Sequence, residues 1–161
     1  MIKRLVVGGL GLGVAAWAGI GGVDSTTRDE VGQITVQGEL GAFATQLGDC
    51  INDLPEVKEV YTITGIPCDQ PHHWQIILKD EIALEEFSRS EVDNETNLIC
   101  DAAATDLATS FMNANDEVIY EYENAQTNYL SPSSESWVEG DRTVDCLIGS
   151  YTEFYTSSLL K

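Results

Sequence analysis

The chain has 161 residues, with 27 Asp and Glu against 8 Lys and Arg, a net charge of −19. That balance excludes nucleic acid as a partner, because phosphate binding needs clustered Lys and Arg, and it excludes docking of the folded part on an anionic lipid surface. A hydrophobic fraction of 43% is too high for a wholly disordered acidic chain, so one folded domain of ordinary size is expected.

Lys3 and Arg4 open the chain, and the next charged residue is Asp24. The uncharged run between them, Leu5 to Val23, would span about 28 Å as a helix, close to the thickness of a bilayer core. It reads as an uncleaved signal anchor, with Lys3 and Arg4 held in the cytoplasm and a single pass of the membrane. The competing reading is a signal peptide removed near Ala18, where Ala16-Trp17-Ala18 has the small-x-small cleavage pattern. Either way, residue 24 onward lies outside the cytoplasmic membrane. That part carries six basic and all 27 acidic residues, a net −21, which keeps an exported domain soluble by self-repulsion. Residues 24–40 are polar and read as a linker, leaving 41–161 as the domain.

Cys50, Cys68, Cys100 and Cys146 are an even, widely spaced set with no C-x-x-C. In an oxidising compartment they read as two structural disulfides rather than a redox pair or a zinc knuckle. Three connectivities exist, and the non-crossing one, Cys50–Cys68 with Cys100–Cys146, is expected. No metal site is expected either, since there is no calcium loop of the D-x-[DN]-x-[DN]-G type and no H-E-x-x-H.

In chain order, Phe43 to Ile51 reads as a short strand, and Asn52-Asp53-Leu54-Pro55 as a turn. Val57 to Ile66 is rich in β-branched residues and predicts a strand. It would pair antiparallel with a buried strand over Trp74 to Leu78, across the Cys68–Pro71 turn. Residues 80–90 are ambiguous. A helix is predicted over about Glu95 to Met112, capped by Asp93 or Asn94, with Cys100, Ala103, Ala104, Leu107 and Phe111 on its buried stripe. Val118 to Tyr122 reads as a strand, Ser131 to Ser134 as a loop, and Arg142 to Ile148 as a final core strand. The sum is an α+β fold: one main helix packed on a small antiparallel sheet, with two disulfides and a preceding N-terminal apolar helix.

Motifs for catalysis are missing. There is no G-x-S-x-G elbow, no P-loop and no dinucleotide fingerprint after a strand. His72 and His73, the only histidines, point to opposite faces of an extended chain and are poorly placed to chelate one ion. His72 reads as a turn residue bonding backbone or a carboxylate such as Asp69. Trp137 reads as an anchor, with Arg142 pairing to Asp141 or a nearby acid. His72, Trp137 and Arg142 are the candidate binding residues; no catalytic residue, cofactor or metal is expected.

Several phrases recur in one order: Arg28-Asp29-Glu30, Leu47-Gly48-Asp49-Cys50, Pro67-Cys68-Asp69-Gln70-Pro71-His72, Glu135-Ser136-Trp137, Gly140-Asp141-Arg142 and Val144-Asp145-Cys146-Leu147, with Thr156-Ser157-Ser158-Leu159 near the end. This order resembles the septum-formation-type domain of actinobacterial membrane and secreted proteins. The chain departs from it at Gln75, where an acidic residue is frequent, and at Ile51, where a Phe is. The resemblance implies an extracytoplasmic domain, usually tethered by a transmembrane segment, and connects it with cell division or the envelope without naming a reaction. The expectation is a non-catalytic interaction or structural module whose partner is an envelope protein or glycan, with membrane contact only through residues 5–23. The alternatives are a secreted enzyme using carboxylates and His72, or a domain sensing a small ligand or ion.

Overall fold

A computed structural model of the chain describes residues 2–4, 23–52, 54, 59–60, 62–110 and 125–160. The predicted apolar helix over 5–23 (all but its last residue), the predicted strand at Val118 to Tyr122 and the end of the predicted helix at Phe111 and Met112 lie outside these residues.

Ten strands and two helices are assigned among them: β1 (Ile2–Arg4), β2 (Thr27–Arg28), β3 (Ile34–Val36), β4 (Gly38–Gly41), β5 (Cys50–Asn52), β6 (Glu59–Val60), β7 (Thr62–Ile66), β8 (Trp74–Glu81), α1 (Arg89–Ser110), β9 (Gln126–Pro132), α2 (Ser134–Val138) and β10 (Thr143–Gly149). Eight strands form one sheet in the order β4-β7-β5-β8-β10-β9-β1-β6, and β2 pairs with β3 separately. The ladders from β4 to β9 are antiparallel; β1 runs parallel to β9 and β6.

The fold is therefore α+β with one main helix, but the sheet is larger than the sequence suggests. Residues 24–40, expected as a linker, carry β2, β3 and most of β4. The expected strand at Phe43 to Ile51 shrinks to Cys50–Asn52, because residues 42–44 and 47–48 turn. Gly48 makes the second turn possible, its φ of +90° being a conformation that a side chain opposes. The expected hairpin between β7 and β8 does not form; β5 lies between them and pairs with both. The segment Pro67 to His73 thus crosses over a strand instead of reversing in a tight turn.

The sheet is apolar on both faces. Leu40, Ile51, Ile63, Trp74, Ile76, Leu130 and Leu147 form one core. Ile77, Val92, Cys100, Tyr129, Val144, Cys146 and Ile148 form the other, with Leu78, Ile99 and Leu107 packed against it. A bulge in the β8–β10 ladder, where Cys146 opposes Leu78 and Leu147 opposes Ile76, breaks the period of two. It brings consecutive residues Ile77 and Leu78 to the same core.

Helix α1 begins six residues before its predicted start, so Asp93 and Asn94 lie inside it rather than capping it. Its buried residues Val92, Thr96 and Cys100 recur every fourth position, the stripe expected of a helix on a sheet. The predicted loop at Ser131 to Ser134 is the end of β9 followed by the N-cap of α2. Ser133 and Ser136 exchange side-chain-to-backbone bonds there in a capping box.

Both disulfides have the non-crossing pairing, Cys50–Cys68 and Cys100–Cys146. The first joins β5 to the crossover segment; the second staples α1 to β10. Closing the 46-residue loop should stabilise the fold by about 4 kcal/mol, against about 3 kcal/mol for the 18-residue loop. Replacing Cys100 and Cys146 together by Ser is expected to lower the unfolding free energy by about 4 kcal/mol in equilibrium urea titrations.

Candidate functional site

The phrases that resemble a family converge on three clusters. In the first, Arg28 forks onto Asp49, with Nη1 to Oδ1 at 2.6 Å and Nη2 to Oδ2 at 2.9 Å. The same guanidinium donates to the Gly32 carbonyl and to Asp24. Asp49 also accepts the Gln46 amide, so its buried carboxylate is fully engaged. The Asp49 carboxylate holds the Arg28 pKa above its ordinary value. For Asp24, burial pushes the pKa up, but Thr26 and Arg28 outweigh it and the net shift is downward.

The second cluster repeats that arrangement at the other disulfide. Asp145 has no solvent exposure and faces Lys79 directly across the β8–β10 ladder. Lys79 Nζ lies 2.5 Å from its Oδ1, and the Thr45 hydroxyl donates to Oδ2 at 2.6 Å while accepting from Lys79 at 2.9 Å. Asp145 and Cys146 are consecutive on β10, so alternation sends sulfur to one side and carboxylate to the other; Asp49 likewise precedes a bridged Cys, just before β5.

The third cluster surrounds Gln75, which is fully buried. Its amide nitrogen donates to the Gly48 carbonyl and to Ser158 Oγ, and its oxygen accepts the Leu159 amide at 2.7 Å. Next to it, His72 is also fully buried. Its Nδ1 lies 2.9 Å from the Gln70 carbonyl; a carbonyl only accepts, so Nδ1 carries the hydrogen. The His72 and Tyr155 backbones exchange hydrogen bonds in both directions. Together these contacts seal the C-terminal segment 150–160 over the first disulfide.

Of the residues expected to bind a partner, His72 presents no ring to solvent, and its Nδ1 meets a backbone carbonyl. Trp137 is buried at 6% exposure, in edge contact with Phe87. Arg142 stacks on Trp137 at 3.5 Å from the ring centroid and donates to the carbonyls of Trp137 and Asp141. The expected pairing of Arg142 with the Asp141 carboxylate is replaced, since that carboxylate accepts from Ser136 Oγ and the Thr143 amide. Trp137 and Arg142 thus form one unit at the end of α2, apart from His72. Exposed aromatic surface lies instead at Phe154, stacked on His73 at 4.0 Å.

Grooves among the described residues include two of moderate size. One of about 460 Å³ is lined by Gln37, Glu39, Thr62 and Thr64 on the β4–β7 edge. The other, of about 620 Å³, is lined by Ile77, Leu78, Ile99, Leu107, Asp80 and Asp106 between α1 and β8. Neither includes His72, Trp137 or Arg142. Among the described residues, no group of three or more His, Cys, Asp or Glu is placed to hold a metal ion. The residues that sequence reasoning missed are Arg28, Asp49, Lys79 and Asp145; the repeated Asp-Cys dipeptide was the signal that could have found the two carboxylates.

Lys79→Met is expected to destabilise the fold by about 3–5 kcal/mol, because it leaves a buried carboxylate without its cation. Lys79→Met combined with Asp145→Leu should cost much less, and urea unfolding of the two variants checks this. Gln75→Glu removes the donor to Gly48 and should lower stability by about 1–3 kcal/mol, read as a lower thermal midpoint.

No curated protein and no solved structure matches the chain. The family described as Septum formation matches residues 22–146, from the end of the apolar run to the last cysteine. The resemblance noted at Thr156 to Leu159 lies beyond that match. Its span takes in Arg28 and Asp49, Lys79 and Asp145, and both disulfides: the chain belongs to the septum-formation family.

Proposed function

We propose that the chain is a membrane-tethered, extracytoplasmic module of the cell envelope, non-catalytic, whose role is to hold a partner protein or glycan. The observation that carries this reading is the pair of disulfides behind an uncharged run headed by Lys3 and Arg4. Bridges of this kind persist in oxidising compartments, and the basic pair retains the N-terminus in the cytoplasm. The family name supports a link to cell division. The non-catalytic reading is supported by how the reactive groups are used: His72, Asp49 and Asp145 are buried and committed to structural contacts.

In this topology Ile2–Arg4 stay on the cytoplasmic side. The place they take between β9 and β6 and a membrane span by the following residues exclude each other. A membrane-impermeant amine reagent applied to intact cells separates the two. It is expected to modify lysines after residue 23 and to leave Lys3 untouched until the membrane is opened. Modification of Lys3 in intact cells would defeat the tethered reading, and recovery of a chain beginning at Gly19 would replace it with secretion.

A further inference from the structure

We infer that the loop after β10 presents an arginine-binding ledge, built of Phe154, His73 and Glu153, which takes an Arg side chain from a basic segment of a partner protein. This names the partner of the module proposed above and rests on that reading.

The loop is built to hold still. Its Ser150 amide donates to the His73 carbonyl at 3.0 Å, and the Tyr155 and His72 backbones exchange bonds at its far end. Ser150 Oγ accepts the Thr152 and Glu153 amides at 3.1 and 3.2 Å, closing the turn on itself. The Tyr151 ring meets Trp74 edge-on at 4.9 Å, and its hydroxyl accepts from Asn128. Gly149 lies so close to the neighbouring chain that a Cβ there would stand 2.0 Å from the His73 carbonyl oxygen. His73 is pinned as well, its amide donating to Asn52 Oδ1 at 2.7 Å.

On this rigid base one large apolar side chain is left out. Phe154 is 60% exposed, with its ring stacked on that of His73 at 4.0 Å. His73 Nδ1 lies 2.8 Å from the Glu153 carbonyl, which can only accept, so Nδ1 carries the hydrogen. In the neutral ring Nε2 is then an acceptor, and among the described residues it has no partner. Glu153, exposed and next to Phe154 in the chain, adds a carboxylate. The ledge is therefore an aromatic face bordered by acceptors.

A guanidinium suits such a ledge, since its plane stacks on an aromatic ring while its N–H groups donate. The chain uses the same solution twice within itself. Arg142 lies 3.5 Å over Trp137 while donating to the carbonyls of Trp137 and Asp141, and Arg89 lies 5.6 Å over Phe87. Phe154 has no such cover among the described residues. The domain's own cations are committed elsewhere: Arg28 to Asp49, Lys79 to Asp145, Arg89 to Asp93 and Arg142 to Trp137. A chain of net charge −19 attracts a cationic partner and repels an anionic one. Because the ledge is already ordered, a stacked Arg side chain meets little entropic cost on the domain's side and serves as an anchor.

The test titrates the full-length chain, in uncharged detergent micelles and with isotope-labelled Phe and His, with the peptide Gly-Arg-Gly-Arg-Gly. The comparison ligands are Gly-Lys-Gly-Lys-Gly and the neutral oligosaccharide chitotetraose. The Arg peptide is expected to move the Phe154 and His73 ring signals in NMR spectra and to bind more tightly than the Lys peptide. Phe154→Ala, which leaves the net charge unchanged, is expected to weaken binding about two- to fivefold. Phe154→Leu keeps an apolar side chain on His73 without the aromatic face and should weaken it similarly, which preserves the comparison if Phe154→Ala disturbs the loop. Equal affinity for the Lys peptide, or binding that neither variant weakens, is general attraction to an acidic surface and overturns the ledge, as do ring signals that stay still. Movement with chitotetraose alone overturns the arginine ligand while leaving the module a glycan partner. Labelling of Lys3 in intact cells reads the tethered topology separately, so failure of that reading and failure of the ledge are told apart.

Discussion

A buried carboxylate is costly unless a cation and hydrogen bonds replace the water it has lost. Asp49 and Asp145 each meet that condition beside a bridged cysteine. The cation comes from a distant part of the chain in both cases: Arg28 from the N-terminal edge and Lys79 from the adjoining strand. Each disulfide ties a strand to a neighbouring segment, β5 to the crossover and β10 to α1; the ion pairs tie Asp49 to the N-terminal edge and Asp145 to β8. Backbone, sulfur and charge therefore constrain the same two strands, β5 and β10.

That arrangement gives a physical sense to the phrases that mark the family. Gly-Asp-Cys supplies a turn, a buried acid and a staple in three residues. Ser-Trp with Gly-Asp-Arg supplies a short capped helix whose tryptophan is covered by its own arginine. Gln75, where an acid is frequent, uses both ends of its amide on Gly48, Ser158 and Leu159. A carboxylate there would lack the donor.

Much of the framework was legible in the sequence: the cysteine pairing, the helix stripe through Cys100, the buried strand at Trp74 to Leu78 and the last strand at Cys146. The failures share a cause. β2, β3, β4 and β5 are two to four residues long, too short for alternation to show; β4 and β5 form on the edges that β7 and β8 offer, while β2 and β3 pair with each other. The insertion of β5 between β7 and β8 is likewise a long-range choice that local turn residues do not encode. The helix start was misplaced because Asp93 and Asn94 are good caps in isolation, whereas burial of Val92 against the sheet draws the helix further back. Polar specificity was the least legible part, since only the folded chain shows that, among the described residues, Asp49 and Asp145 are the buried acids.

Tyr155 and Leu159 are buried, and the segment that carries them closes over His72 and Gln75. A polypeptide that emerges from its N-terminus presents those residues after every described strand of the sheet. The sheet can gather strands as they appear, but the cover over the first staple must wait for Tyr155 and Leu159. Sealing of the interior around Cys68 is therefore a late step of folding, and a chain lacking residues 150–160 would leave that interior wet.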